Sequence, residues 1–208
     1  MDKFFHQWQL ATLAFLLLGL LSCTSSVPLT ETSAWAVRET QLLGLNHWQL
    51  QGRVNARYQN ESHTPRIRWQ QQDSEYTIRL WGTLNAGATL IAGRPGFVTL
   101  EQGEEILTAN RPEDLILEQL GYELPVSSLN YWIKGIPTPE EEHQLVLGEF
   151  NQVISLEQSG WTVVYQDYRM FDIYSLPRRI EMSRAENNIR LIFVGLNWTV
   201  DTSNDTAN

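Results

Sequence analysis

Residues 48–58 alternate without a break: Trp48, Leu50, Gly52, Val54, Ala56 and Tyr58 occupy the even positions and polar residues the odd ones. A helix cannot keep such a period-two stripe on one side, so the segment reads as a strand with one dry and one wet face. Ile67 and Trp69 repeat the pattern between Arg66, Arg68 and Gln70, and Tyr76, Ile78 and Leu80 repeat it against Thr77 and Arg79. Further strands are predicted at 88–92, 97–101 and 105–108, cut by turns such as Gly93-Arg94-Pro95-Gly96 and Glu101-Gln102-Gly103. After an acidic turn at Glu140-Glu141-Glu142 they resume at 144–147, 153–158, 161–165, 180–182 and 189–194. The last continues through Trp198, and Ser159-Gly160 forms a tight hairpin turn. About ten or eleven short strands joined by short turns make an antiparallel meander too wide to stay flat. The sheet is therefore expected to curl into a barrel or half-barrel.

Helices are predicted in two places. One lies at 33–45, where Ser33 can cap and Val37, Leu42 and Leu45 share a side. A pair interrupts the strands. The first is capped by Asn110 with Pro112 in its opening turn, carries Glu113 and Asp114 near its positive end and Leu115, Leu117 and Leu120 along it, and stops at Gly121. The second covers 126–134, presents Leu129, Trp132 and Ile133, and ends at Gly135.

The uncharged run 10–21 is too short to span a bilayer as a helix and follows a polar start carrying Lys3, so residues 1–22 read as an export signal. Leu20-Leu21-Ser22-Cys23 at its end resembles the bacterial lipobox, in which the cysteine is acylated and becomes the first residue of the mature chain. An ordinary signal peptide with a chance cysteine is the alternative. Cys23 is the sole cysteine, and an exported free thiol is a liability that acylation removes. Its modification would be an S-diacylglycerol and an N-acyl chain, with no other cofactor; two or three such chains hold a protein on a membrane essentially permanently. Among bacterial lipoproteins, Asp directly after this cysteine marks retention in the inner membrane. Thr24 stands there, which implies the outer membrane. Residues 23–33 suit a tether, 34–200 one folded domain, and 201–208 a disordered tail.

The formal net charge of -9 argues against nucleic acid and against docking on anionic lipid by charge alone. No catalytic constellation emerges. His47, His63 and His143 are scattered, no His-Glu-x-x-His helix is present, and neither a Gly-x-Ser-x-Gly elbow nor a phosphate-binding loop occurs. No metal site is expected. Asp167 and Asp172 near Arg169 read as surface ion pairing rather than acid-base chemistry.

The segment Leu124, Pro125, Val126, Leu129, Trp132, Ile133, Gly135 and Pro137, then Gln158, Gly160, Trp161, Val163 and Tyr165, then Leu176-Pro177 and the closing strand to Trp198, resembles the LolB family of outer-membrane lipoproteins. The resemblance extends in order over nearly the whole mature chain. It implies an incomplete antiparallel β-barrel covered by an α-helical lid and enclosing an apolar cavity. It also implies a monomeric receptor, not an enzyme, facing the periplasm. Such a receptor takes lipoproteins from the periplasmic carrier LolA and places them in the outer membrane. Candidate cavity-lining residues are Leu50, Val54, Trp69, Ile78, Leu80, Leu129, Trp132, Trp161 and Val163; the alternative is that these simply pack a solid core. In this family a protruding leucine, commonly within Pro-Leu-Gly, helps insert the cargo. Leu84 matches it, although Thr83 and Asn85 replace the proline and glycine. A plain hairpin apolar residue is the alternative there. For the whole chain, the other readings are a lipid-anchored, lipocalin-like module that binds a small apolar ligand without passing it on, and a structural envelope lipoprotein with a filled barrel.

Overall fold

The alternation at 48–58 becomes β1 (His47–Tyr58), in which Trp48, Leu50 and Val54 are buried. A computed structural model describes residues 31–82, 87–121 and 123–201. Its described strands continue with β2 (Glu61–His63), β3 (Arg66–Gln72), β4 (Glu75–Trp81), β5 (Thr89–Arg94), β6 (Phe97–Gln102) and β7 (Glu105–Ala109). After the helices come β8 (His143–Leu147), β9 (Val153–Gln158), β10 (Trp161–Phe171), β11 (Tyr174–Arg184) and β12 (Ile189–Val200). All twelve belong to one antiparallel sheet, eleven of them in the order β7-β6-β5-β4-β3-β1-β12-β11-β10-β9-β8, with β2 off this path and paired with β1. The sheet is open, with β7 and β8 at its edges.

The described helices are α1 (Glu31–Gly44), α2 (Pro112–Leu120) and α3 (Val126–Trp132). The chain leaves one open edge at β7, forms α2 and α3, and re-enters the sheet at the other edge, β8. The incomplete barrel is thus bridged by its own helical crossover. α1 already runs through Ser33, so that residue is not its boundary, and Val37 is exposed while Leu42 and Leu45 are buried. The reason is angular: five residues turn a helix by about 500°, which puts position 37 well off the side of position 42. α2 opens at Arg111 rather than Asn110. Arg111 precedes Pro112, is held extended at φ −134°, and makes no side-chain cap. Gly121 closes α2 in the left-handed region at φ 74°, its N–H donating to Leu117 O. α2 buries Leu115 and Ile116 and leaves Leu117 exposed. Leu129, Trp132 and Ile133 of the α3 segment are all buried, as its pattern predicts.

Three irregularities shape the sheet. β2 and β3 are one strand broken at Thr64-Pro65, where Val54 N–H donates to Pro65 O at 3.1 Å. β10 and β11 run well past their predicted ends, through Pro177, because pairing of β11 with β12 starts only at Arg179 and so requires no ladder N–H from the proline on that side. The third is a bulge between β1 and β12. Arg53 pairs with Val194 and Gln51 with Asn197, so Gly195 and Leu196 stand together opposite Gly52. Gly195 has φ +63°. The extra residue switches the inward phase of β12 from odd (Ile189, Leu191, Phe193) to even (Leu196, Trp198) and bends the middle of the sheet.

Gly52 is required here by contact. A Cβ on it would lie 2.7 Å from Leu196 Cδ2 and 3.0 Å from Val194 O, and Leu196 is fully buried. Gly52→Ala is expected to destabilise the fold by about 1–3 kcal/mol in urea unfolding, the cost of overpacking a closed site. An unchanged midpoint would mean that the bulge relaxes freely.

Candidate functional site

Residues directly opposite one another in an antiparallel ladder project from the same face, so the register can be followed across the sheet as rows. One row joins Trp198, Leu50, Trp69, Ile78, Ile91, Leu100 and Leu107. A second joins Ala56, Leu191, Met182, Val163, Leu156 and Leu145. Between them run Val54, Phe193, Ile180 and Tyr165. These rows form a continuous apolar inner face under the helices.

The residues expected to line a cavity fall on this face or on its cover. Leu50, Trp69 and Ile78 share the first row, Val54 and Val163 lie on the others, and Trp161 opens β10. Leu129 and Trp132 belong to α3 above it, and the Trp132 and Trp161 rings lie 6.2 Å apart. All eight are buried in one cluster. Leu80, opposite Ile67, is only half-buried. Cys23 and Leu84 lie outside the described residues.

Polar groups set among the apolar rows tie the cover to the sheet and the strands to one another. Gln158, on the inward side of β9, accepts from Trp132 Nε1 and from Thr138 N–H, both at 2.8 Å, and donates to Thr138 O at 2.9 Å. Gln71, inward on β3, accepts from Trp69 Nε1 and donates to Asp73 O. Tyr168 donates to Val153 O at 2.8 Å, and the Arg38 guanidinium of α1, which donates to Ser175 O, lies over its ring at 5.5 Å. Gly135 (φ +84°) admits this packing, because a Cβ there would lie 2.7 Å from the Tyr168 hydroxyl. A readable signal existed for each glutamine, since both sit on the apolar phase of their strands. Asp167 pairs with Arg169 at 3.0 Å and Arg178 at 3.4 Å, all at the surface, as expected of ion pairing.

The family model described as "Outer membrane lipoprotein LolB" matches residues 46–195. An outer-membrane lipoprotein LolB of Chromohalobacter salexigens is 37% identical over 191 residues, covering 89% of this chain and 88% of that one. One from Pseudomonas fluorescens is 38% identical over 159 residues, covering 76% and 78%. Among solved structures, a LolA superfamily protein from Nitrosomonas europaea shares the fold at a TM-score of 0.52 and 9% identity, covering 85% of this chain and 96% of that one. A DUF1329 family protein from Desulfovibrio piger does so at 0.55 and 7%, covering 86% and 95%.

The same cover contains one buried charge. Lys134 is the only lysine in the chain besides Lys3, and it is 1% exposed. Its ammonium donates to Leu45 O at 3.2 Å, tying the end of the α3 segment to the exit of α1, and lies 5.7 Å from the Tyr131 ring centroid. Burial lowers its pKa from 10.5 to about 8. Between those values the unfolded chain holds a proton that the folded chain has lost, so stability must rise with pH there. The rise is roughly 3 kcal/mol at most. Above pH 10 it is opposed by Tyr76, raised to about 12 by burial and by Glu113, and by Tyr165 and Tyr168, both raised by burial. Urea unfolding of the wild type should therefore show stability climbing from pH 8 to pH 10, and Lys134→Met should flatten that slope. Equal slopes in both proteins would remove the ammonium as its source.

Proposed function

The chain belongs to the LolB family of outer-membrane lipoproteins, and on that footing we propose that it receives lipoproteins from the periplasmic carrier LolA and inserts them into the outer membrane. The observation that carries this reading is the continuous apolar inner face of an open sheet whose two edges are bridged by one helical crossover. Exposing one bacterial acyl chain to water costs on the order of 10 kcal/mol at ~0.8 kcal/mol per methylene. A transfer step through an aqueous compartment must keep such chains covered, and this face is apolar, wide and already roofed.

Leu50, Trp132 and Val163 have no exposure, so acyl chains reach them only if the helices move away from the sheet. Among the described residues the fastenings along that boundary are directional: Trp132 and Thr138 to Gln158, Lys134 to Leu45 O, the Arg38 contacts, and the Arg184–Glu123 ion pair. Neutral hydrogen bonds contribute about 0.5–1.5 kcal/mol each, and those from the Lys134 and Arg38 cations about 1.5–3. Acyl chains entering the site can offset that loss many times over. The sequence holds no phosphate-binding loop to couple an energy source. Transfer then runs downhill, from a weaker apolar site on the carrier to this one and finally to the bilayer. Meeting mouth to mouth would keep the chains out of water throughout.

Acylated Cys23 holds the receptor at the outer membrane, facing the periplasm. Leu84, in the connection between β4 and β5, enters the bilayer during delivery. Both assignments rest on sequence likeness, and each has a consequence that can be measured.

A fluorescent lipoprotein loaded on LolA should move to this protein and onward to vesicles without nucleotide. Retention of the cargo on LolA would end the receptor reading and favour a lipocalin-like or filled barrel. Leu84→Glu is expected to fold normally and take cargo from LolA, yet to slow insertion into vesicles by an order of magnitude or more. Wild-type insertion by that variant would exclude Leu84 from delivery.

A further inference from the structure

The interior under the helices satisfies its polar groups with care. Trp69, Trp132 and Trp198 each donate their indole N–H, to Gln71, Gln158 and Pro177 O, and Tyr168 donates to Val153 O. Native interiors behave this way because an unpaired buried donor costs about 1–3 kcal/mol. Among the described residues, three enclosed donors on the inner face break the pattern: Trp48 Nε1, the Tyr76 hydroxyl and the Tyr165 hydroxyl. Trp48 has an account, since its ring is walled by those of Trp69 at 5.3 Å and Trp198 at 5.2 Å, whose faces are weak acceptors. Tyr76 is only partly buried, at the side of the sheet away from the middle rows, and neither its hydroxyl nor the nearby Glu113 Oε2 has a hydrogen-bond partner among the described residues.

Tyr165 has no hydrogen-bond partner for its hydroxyl among the described residues. It is 3% exposed and stands opposite Ile180 in the row that continues to Phe193 and Val54, the middle of the inner face. Its ring lies 6.4 Å from that of Tyr168, which touches α1 through Arg38 and the end of the α3 segment through Gly135. The hydroxyl therefore belongs to the apolar space between sheet and cover. Phenylalanine would fill the same volume at no polar cost, so packing alone gives no reason for the oxygen.

We propose that the Tyr165 hydroxyl donates a hydrogen bond to an acyl carbonyl of the bound lipoprotein, the glyceryl ester or N-terminal amide that joins a fatty chain to the cargo's first cysteine. The inference rests on the receptor reading above. Acyl carbonyls are the acceptors that travel with the fatty chains into the site, and they carry no charge that the dry interior would resist. One such bond sets how deep the chains slide, and it separates acylated cargo from plain hydrocarbon of equal length.

The test compares the mature protein with Tyr165→Phe, using three fluorescent lipopeptides that all keep three fatty chains: a triacylated one, its dialkyl-ether analogue without ester carbonyls, and an N-thioacyl analogue in which a poorly accepting sulfur replaces the amide oxygen. The wild type should bind the triacylated peptide roughly 3- to 10-fold more tightly than whichever analogue lacks the recognised carbonyl. Tyr165→Phe should lose that preference while its urea midpoint stays equal or rises. The analogue that shows the effect names the source, ester or amide. A preference that survives in Tyr165→Phe, or a wild type that binds all three alike, overturns the assignment while leaving the receptor reading intact. No binding of any lipopeptide by the wild type would instead remove both.

Discussion

Everything in this fold follows from one need: a sheet whose inner face is apolar across eleven strands has to be covered, and so do its two edges. An open edge offers unpaired N–H and C=O groups to any passing strand, and an open apolar face offers itself to any greasy surface. The stretch between β7 and β8 answers both, because it begins at one edge, ends at the other, and lays α2 and α3 between them. Closing a barrel by hydrogen bonds would remove the edges permanently. Closing it by helices leaves a seam at which, among the described residues, the two sheet edges are unpaired with each other and held only through side-chain contacts of the cover.

How that seam is held matters as much as where it lies. Apolar packing is non-directional and roughly proportional to area, so a cover held by packing alone has no preferred seat. Here the seat is marked by polar contacts set into the apolar surface: Gln158 receiving Trp132 and Thr138, Lys134 reaching Leu45 O, and Tyr168 beneath Arg38. An ammonium is the costliest of these to bury, as the fall in the Lys134 pKa indicates. A methionine of similar length would pack there at less cost, yet it could not find Leu45 O. Position is what the charge contributes.

The curl of the sheet comes from local faults rather than from uniform twist. The bulge at Gly52, Gly195 and Leu196 sits where β1 meets β12, in the middle of the strand order. Bulges bend the strand that carries them and increase twist. The break at Thr64-Pro65 and the proline in β11 relax the ladder nearby, so the sheet wraps without losing its inner rows.

Period and punctuation were enough to read the strands other than β2, the hairpin at Ser159-Gly160, α3 with its buried face, and the likeness of the chain to its family, because each is a local pattern that one segment carries alone. Ser159 and Gly160 both have positive φ, as such a turn requires. Local pattern misjudged what depends on a neighbour. Val37 and Leu117 are as apolar as Leu42 and Ile116, and only the partner surface decides which are buried. β10 and β11 outrun their patterns since pairing with each other holds residues that would not form strands alone. The same holds for the site. The apolar rows of its inner face were legible from alternation, whereas Gln158, Lys134 and Tyr165 acquire meaning only from what stands across from them. Hydrophobic burial is a property of a residue's type and phase, which the sequence by itself determines. A hydrogen bond between residues 26 or 89 positions apart, such as Trp132 to Gln158 or Lys134 to Leu45, exists only once the tertiary structure has brought its two ends together.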